Sequence, residues 1–306
     1  MDLLFIYPLA AFLATFILIA KYKDKLPSDQ GRQYAVDGTL SAGKPRGTGI
    51  IFVSVFVLAS MAYVGIRPDI YIYLILIFIE MLTGFFDDKA EKPWSEYKKA
   101  ILDLLVSAGI AVTYIFFNGT GVNLYLFDVS FELPKVVFGI LATVLVWASI
   151  NVTNCTDGVD GLSGSLTIVT LLSFAVMMGR EETFNGVIYI FVAVLLPYLW
   201  HNANPSKLMM GDAGSRAMGT LIAVTALVSK DPFMFLIFAA VIMFDGGLGL
   251  VKVALLRFLK IKILKNTRTP LHDHTRKERG WSATQTVFRF VVIQIAISGL
   301  ILLIKA

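Results

Sequence analysis

Ten apolar runs constrain this chain more than any other feature, near residues 2–20, 48–66, 70–86, 100–117, 134–152, 159–178, 185–200, 213–229, 232–257 and 284–304. A helix crossing the hydrocarbon core of a bilayer needs about 20 mostly apolar residues and must satisfy its backbone polar groups internally. Ten such runs in 306 residues leave little chain for a water-soluble body. The composition agrees, with 57% hydrophobic and 16% charged residues against about 45–50% and about 25% in a soluble domain. The expected fold is an all-α, polytopic membrane protein of about ten helices, forming one transmembrane domain over residues 1–306. No internal repeat or linker divides it. The ninth run is long and carries Asp245-Gly246-Gly247, where a kink or break is expected. The opening run lacks a basic flank and a small-residue cleavage site, so it reads as a span rather than a removable signal. Cys155 is the sole cysteine, which excludes a disulfide scaffold.

Ten spans place both termini on one side and sort the loops into two alternating sets. One set holds 20 of the 27 Lys and Arg residues; the other holds four, Arg67, Lys135, Arg180 and Lys230. By the positive-inside rule the basic set is cytoplasmic and both termini are extracytoplasmic.

The unusual polar sequences all fall on the basic side. They are Lys44-Pro45-Arg46-Gly47-Thr48-Gly49, Gly84-Phe85-Phe86-Asp87-Asp88-Lys89, the run from Asn151 to Gly161, His201-Asn202-Ala203-Asn204 leading to Gly211-Asp212-Ala213-Gly214-Ser215, and Pro270-Leu271-His272-Asp273-His274. Five such stretches, far apart in sequence and on one face, suit a single shared site. Asp87 and Asp88 close the third run beside Lys89 and Lys92; adjacent carboxylates repel, so a nearby cation or one raised pKa is expected. One or two carboxylates plus substrate phosphates is the donor set that Mg²⁺ prefers. Asn151, Asn154, Asp157 and Asp160 recur every three residues and, if helical, present four oxygen-bearing side chains along one slowly drifting face. Helix capping explains one of these four, not the series. The Gly211–Ser215 turn opens the eighth run, where backbone N–H groups and the helix dipole favour an anion. His272 and His274, two apart in a strongly basic loop, suit phosphate binding or proton transfer, and the loop's Lys and Arg suit anionic lipid headgroups as well. Three acids lie inside spans, Glu80, Asp103 and Asp245; such acids are costly and functional by default. Asp245 stands out beside its glycine pair, and Lys252 two turns on is expected to share its polar face.

Together these motifs resemble the polyprenyl-phosphate N-acetylhexosamine-1-phosphate transferase superfamily. The resemblance rests on the Asp87-Asp88 pair, the Asn-x-x-Asn-x-x-Asp-Gly-x-Asp-Gly run, the Gly-Asp-x-Gly-Ser turn and the late Leu-His-x-His segment, in the family's order along the whole chain. The segment from Pro270 to His274, followed by Gly280-Trp281-Ser282, is similar to the bacterial branch that makes lipid I. That branch joins the sugar phosphate of UDP-MurNAc-pentapeptide to undecaprenyl phosphate with Mg²⁺, releasing UMP, at the cytoplasmic face of the bacterial plasma membrane. The resemblance implies Asp212 as metal ligand and Asp87, Asp88, Asp157, His272 and His274 as further catalytic residues. It implies substrate contacts from Lys44, Lys89, Lys92, Asn151, Asn154, Asp160, Asn202, Met209 and Gly211. Asp273 stands where the branch has a middle histidine, and Met209 where it has an aromatic residue. Phe244-Asp245 looks closer to enzymes that transfer GlcNAc-1-phosphate, which remains the alternative donor class. A secondary transporter is the alternative outside catalysis, but transporter sites lie near the midplane between repeats. The expected partners are therefore undecaprenyl phosphate, a UDP-sugar, the bilayer and a second copy in a homodimer, with no nucleic acid.

Overall fold

The computed structural model describes residues 3–31, 41–179 and 183–305; Met1, Asp2, residues 32–40, residues 180–182 (with Arg180) and Ala306 lie outside the described residues. Every one of the ten apolar runs is helical over most of its length. The first eight helices are α1 (Leu3–Tyr22), α2 (Gly49–Val64), α3 (Pro68–Lys89), α4 (Glu96–Asn118), α5 (Lys135–Thr156), α6 (Leu162–Met178), α7 (Phe184–Asn202) and α8 (Gly211–Val228). The ninth run breaks into α9 (Phe235–Phe238), α10 (Ala240–Ile242) and α11 (Leu248–Ala254); α12 (Leu271–Arg279) and α13 (Ala283–Lys305) follow. Local signals set several boundaries. Pro68 stands in the first turn of α3, where its missing N–H costs nothing, and the Ser95 hydroxyl caps α4 by accepting from Lys98 N at 3.3 Å.

Among the described residues six helices are long and apolar enough to cross a membrane: α1, α3, α4, α5, α7 and α13. The pair Pro232–Phe238 and Ala240–Leu259, bent by 74°, makes a seventh if counted as one span. The outward faces carry large apolar side chains such as Phe116, Val136 and Leu303, a surface matched to lipid rather than water. One departure from an all-helical fold is a short antiparallel hairpin, β1 (Gly121–Leu124) with β2 (Val129–Glu132), between α4 and α5.

The break in the ninth run falls at Ala239, ahead of Asp245-Gly246-Gly247, which instead forms part of a π-helical turn over Met243–Gly247. Side chains from other helices decide the position. Gln294 of α13 accepts from Val241 N at 2.9 Å and donates to Ile237 O at 3.1 Å, and Thr170 of α6 donates to Phe238 O at 2.7 Å. Backbone groups freed by a broken helix must find such partners in an apolar medium.

Helix α8 is buried along nearly all its length and packs against α2, α3, α5 and α6. Small residues bring its neighbours close. At Gly84 of α3 a Cβ would stand 2.5 Å from the Asp212 carbonyl carbon and oxygen, so α3 and α8 meet backbone to backbone there. That contact lies one turn before Asp87-Asp88 and in the first turn of α8.

Candidate active site

Asp87 and Asp88 occupy the last turn of α3, and Asp212 the first turn of α8. The loop before α2 is stitched to the chain before α8: Met209 N donates to Pro45 O at 2.8 Å, and Thr48 N and Gly49 N donate to Met209 O and Met210 O at 3.1 Å. This pairing delivers Arg46 into the gap. Its guanidinium reaches Asp88 Oδ1 at 2.7 Å through Nε, Asp29 Oδ1 at 2.9 Å through Nη1 and Asp212 Oδ1 at 3.2 Å through Nη2. Lys99 Nζ, from the first turn of α4, sits 2.6 Å from Asp87 Oδ2 and 3.9 Å from Asp212 Oδ2. Trp94 N donates to Asp87 Oδ1 at 2.7 Å. Gly211, at φ +68°, permits the tight entry into α8; a Cβ there would overlap the Asp88 carboxylate.

Burial opposes the Arg46 charge, but Asp88, Asp212 and Asp29 outweigh it and hold the guanidinium protonated well above its ordinary range. Burial alone would raise Asp29; its hydrogen bonds from Ser41, Arg46 and Gly31 N bring it below the usual carboxylate value. Four carboxylates thus face two cations, an excess of negative charge matched in sign to a divalent cation. Asp212 is the most open of the three helix-borne acids, its side chain 15% exposed against 6% for Asp87 and 1% for Asp88. Among the described residues no three His, Cys, Asp or Glu groups already stand as a complete ligand set, and the carboxylate oxygens turn to Arg46 and Lys99 instead. All the available donors are hard oxygens, which fits Mg²⁺ completing its shell with substrate phosphate and water.

A second group of polar residues continues from the first. Lys44, two residues before Arg46, donates to Ser206 Oγ at 3.0 Å, and Ser206 N donates to Asp160 Oδ2 at 3.0 Å. Asn204 Nδ2 also donates to Asp160 Oδ2, at 3.1 Å. Asn202 pins the turn by accepting from Gly161 N at 2.7 Å and donating to Leu208 O at 2.8 Å. Asp157 Oδ1 accepts from the Ser163 hydroxyl at 2.5 Å. His272 is buried, with its backbone N and Nδ1 both on the Asp245 carboxylate, at 2.7 and 2.8 Å. A Cβ at Gly158 would overlap His272 Nε2, so that nitrogen lies against the turn holding Asp157. Burial works against the imidazolium, yet Asp245 outweighs it and raises the His272 pKa above the ordinary 6.5.

Several sequence expectations change in this light. The four Asn and Asp residues do not share one helix face, because α5 ends at Thr156 and Gly161, at φ +82°, turns the chain. Asn151 faces inward and donates to Asp103 Oδ2 at 3.3 Å, whereas Asp157 and Asp160 lie in the turn. Lys89 and Lys92 are exposed, and the cations on Asp87 and Asp88 are Lys99 and Arg46. Lys252 donates to Leu264 O and Thr267 O, at 3.1 and 2.8 Å, rather than joining Asp245. Arg216, one of the 20 Lys and Arg counted on the basic side although it falls inside the 213–229 run, is buried within α8. Asn154 and His274 are half-buried, and neither side chain makes a described hydrogen bond to the acidic cluster. Met209 contributes through its backbone. Arg46, Lys99 and Asp29 were not read as site residues; Arg46 lies inside a quoted motif, and no spacing ties Lys99 to Asp87.

Comparison with known proteins adds a separate line of evidence. Residues 70–230 match the model for glycosyl transferase family 4, a stretch running from α3 to the end of α8. A phospho-N-acetylmuramoyl-pentapeptide-transferase of Treponema pallidum (strain Nichols) is 40% identical over 309 residues, covering 93% of this chain and 84% of the relative. One from Clostridium botulinum (strain Alaska E43 / Type E3) is 31% identical over 292 residues, covering 89% and 88%, and one from Dictyoglomus thermophilum is 27% identical, covering 94% of both. Helices long enough to span a bilayer, a carboxylate cluster joined by two cations and this similarity along nearly the whole chain converge: the chain belongs to glycosyl transferase family 4 and, within it, to the phospho-N-acetylmuramoyl-pentapeptide-transferase family.

Proposed function

We propose that this protein transfers phospho-MurNAc-pentapeptide from UDP-MurNAc-pentapeptide to undecaprenyl phosphate, giving lipid I and UMP. The observation that carries the reading is the convergence of Asp87, Asp88 and Asp212 from two helices on Arg46 and Lys99. The protein acts as one domain with ten spans in the bacterial plasma membrane, its basic loops and this cluster facing the cytoplasm, where UDP-sugars are made.

The net reaction forms a bond between a lipid phosphate oxygen and the sugar-bound phosphorus, and breaks that phosphorus's bond to the bridging oxygen, whose electron pair leaves with UMP. Both reactants are anions, so neutralisation and positioning dominate the work required. Mg²⁺, held by Asp212 with Asp87 or Asp88 nearby, would supply charge neutralisation at the diphosphate. Arg46 and Lys99 are placed to exchange carboxylate partners for phosphate oxygens as substrates enter. Asp87, with Lys99 Nζ at 2.6 Å, is placed to accept the proton when the lipid phosphate arrives protonated. Asp157, Asp160 and Lys44 form the rim suited to the nucleotide and sugar phosphate, and the buried Asn202 holds the turn beneath them. His272, its Nδ1 fixed by Asp245, offers Nε2 to a phosphate or ribose oxygen.

The test is UMP release by purified protein given undecaprenyl phosphate and Mg²⁺, with UDP-MurNAc-pentapeptide or UDP-GlcNAc as donor. Turnover with the pentapeptide donor alone is expected. Turnover only with UDP-GlcNAc would overturn the donor, and no release with either would overturn the transferase reading.

A further inference from the structure

Below the carboxylate cluster lies a second set of charges that the chemistry above does not use. Arg216, on α8 four residues after Asp212, is 2% exposed; its Nε stands 2.9 Å from Glu80 Oε1, and its Nη2 contacts Asp103 Oδ1. Glu80 is on α3, seven residues before Asp87, and Asp103 is on α4, four residues after Lys99. Four residues make about one helical turn and seven about two, so each charge lies below its site residue on the same helix face. Asn151 of α5 joins from the side through Asp103 Oδ2 at 3.3 Å. One guanidinium therefore ties together the three helices that carry Asp87, Lys99 and Asp212.

Stability alone is a poor account of this arrangement. Well-packed apolar residues often match or exceed a buried ion set, because desolvation offsets the Coulomb gain. Here Glu80 Oε2 and Arg216 Nη1 are shielded from solvent without a hydrogen-bond partner among the described residues, so the set is not even saturated. What charged, directional contacts add over apolar ones is a defined axial register between helices. The site above is sensitive to that register: Lys99 is 2.6 Å from Asp87 but 3.9 Å from Asp212, a difference smaller than one residue's rise.

We propose that Arg216, clamped by Glu80 and Asp103, is a positioning residue for phosphoryl transfer, setting the register of α3, α4 and α8 so that Asp87, Lys99 and Asp212 meet. Its kinetic arm rests on the transferase reading; its binding arm does not. Two variants test it. Arg216→Lys keeps the charge but loses the planar fork that reaches two carboxylates. Arg216→Met combined with Glu80→Gln and Asp103→Asn removes all three charges at similar volume, so that no lone charge is left buried.

The measurements are the thermal unfolding midpoint, Mn²⁺ affinity of the protein alone by electron paramagnetic resonance, and kcat and KM for both substrates. In folded variants we expect Mn²⁺ affinity to fall about 10-fold, in the range known for residues that orient metal ligands. We expect kcat to fall about 10- to 100-fold, as a displacement near 1 Å produces, with donor KM within about twofold of wild type. A triple variant that folds with wild-type kcat and Mn²⁺ affinity would overturn the proposal and reduce the cluster to a structural tie. If the wild type releases no UMP, the transferase reading fails separately, and the Mn²⁺ comparison between wild type and Arg216→Lys still decides the positioning role.

Discussion

Replacing Gly84 with alanine should damage turnover through a single methyl group. The new Cβ would stand 2.5 Å from the Asp212 carbonyl carbon and oxygen and 2.6 Å from Ala213 N, all backbone atoms that cannot rotate aside. Ordinary contact begins near 3.4 Å, so α3 and α8 must part by about 1 Å at that level. Overpacking of this kind typically costs about 1–3 kcal/mol of stability. The larger effect is expected on the reaction, because Asp87 and Asp212 ride on the two separated helices and a displacement near 1 Å costs about 10²-fold. The assay is steady-state UMP release beside a thermal unfolding curve for the same preparation. Gly139→Ala is the control: its Cβ would meet only the Ile115 Cδ1 atom at 3.4 Å, so alanine there should leave turnover unchanged. Gly84→Ala protein with an intact unfolding transition and kcat within twofold of wild type would refute the reasoning.

Three further outcomes follow from named contacts. Arg46→Lys cannot reach Asp29, Asp88 and Asp212 together, so UMP release should fall about 10²-fold or more despite the conserved charge. The Asp245–His272 pair raises the folded-state pKa of His272 above 6.5; its stabilisation is full below that value and is lost as pH rises through the raised one. Unfolding midpoints of wild type and His272→Gln should therefore differ most at mildly acidic pH and converge at alkaline pH. Gln294→Leu strips Val241 N and Ile237 O of their partners at the 74° bend, and its unfolding free energy should fall by about 1–3 kcal/mol for each orphaned group.

Much of this architecture is legible in the sequence because apolar runs of spanning length admit few folds, and the helices match them closely. The polar motifs stand out in the sequence because Asp87-Asp88, Asp157-Gly158 and Gly211-Asp212 sit where apolar runs end or begin, and the structure brings Asp87, Asp88 and Asp212 together. Their pairings do not stand out. Arg46 meets Asp212 only because a loop is stitched across the start of α8, and Lys99 meets Asp87 through the angle between α3 and α4. Neither relation has a spacing in the chain. The bend at Ala239 was misplaced by several residues because the groups that permit it, Gln294 and Thr170, lie far away in sequence. Arg216 lies inside the eighth apolar run, but nothing in the chain's spacing pairs it with Glu80 and Asp103; the packing of α8 against α3 and α4 does.

The central claim is that the cluster around Asp212 is where the transfer occurs. Its most direct test is UMP release from UDP-MurNAc-pentapeptide and undecaprenyl phosphate by Asp212→Asn, which keeps the side-chain shape and removes only the charge. A loss of about 10²–10³-fold, in protein that unfolds like wild type, is the predicted result. Turnover close to wild type would contradict the account and move the chemistry elsewhere on the protein.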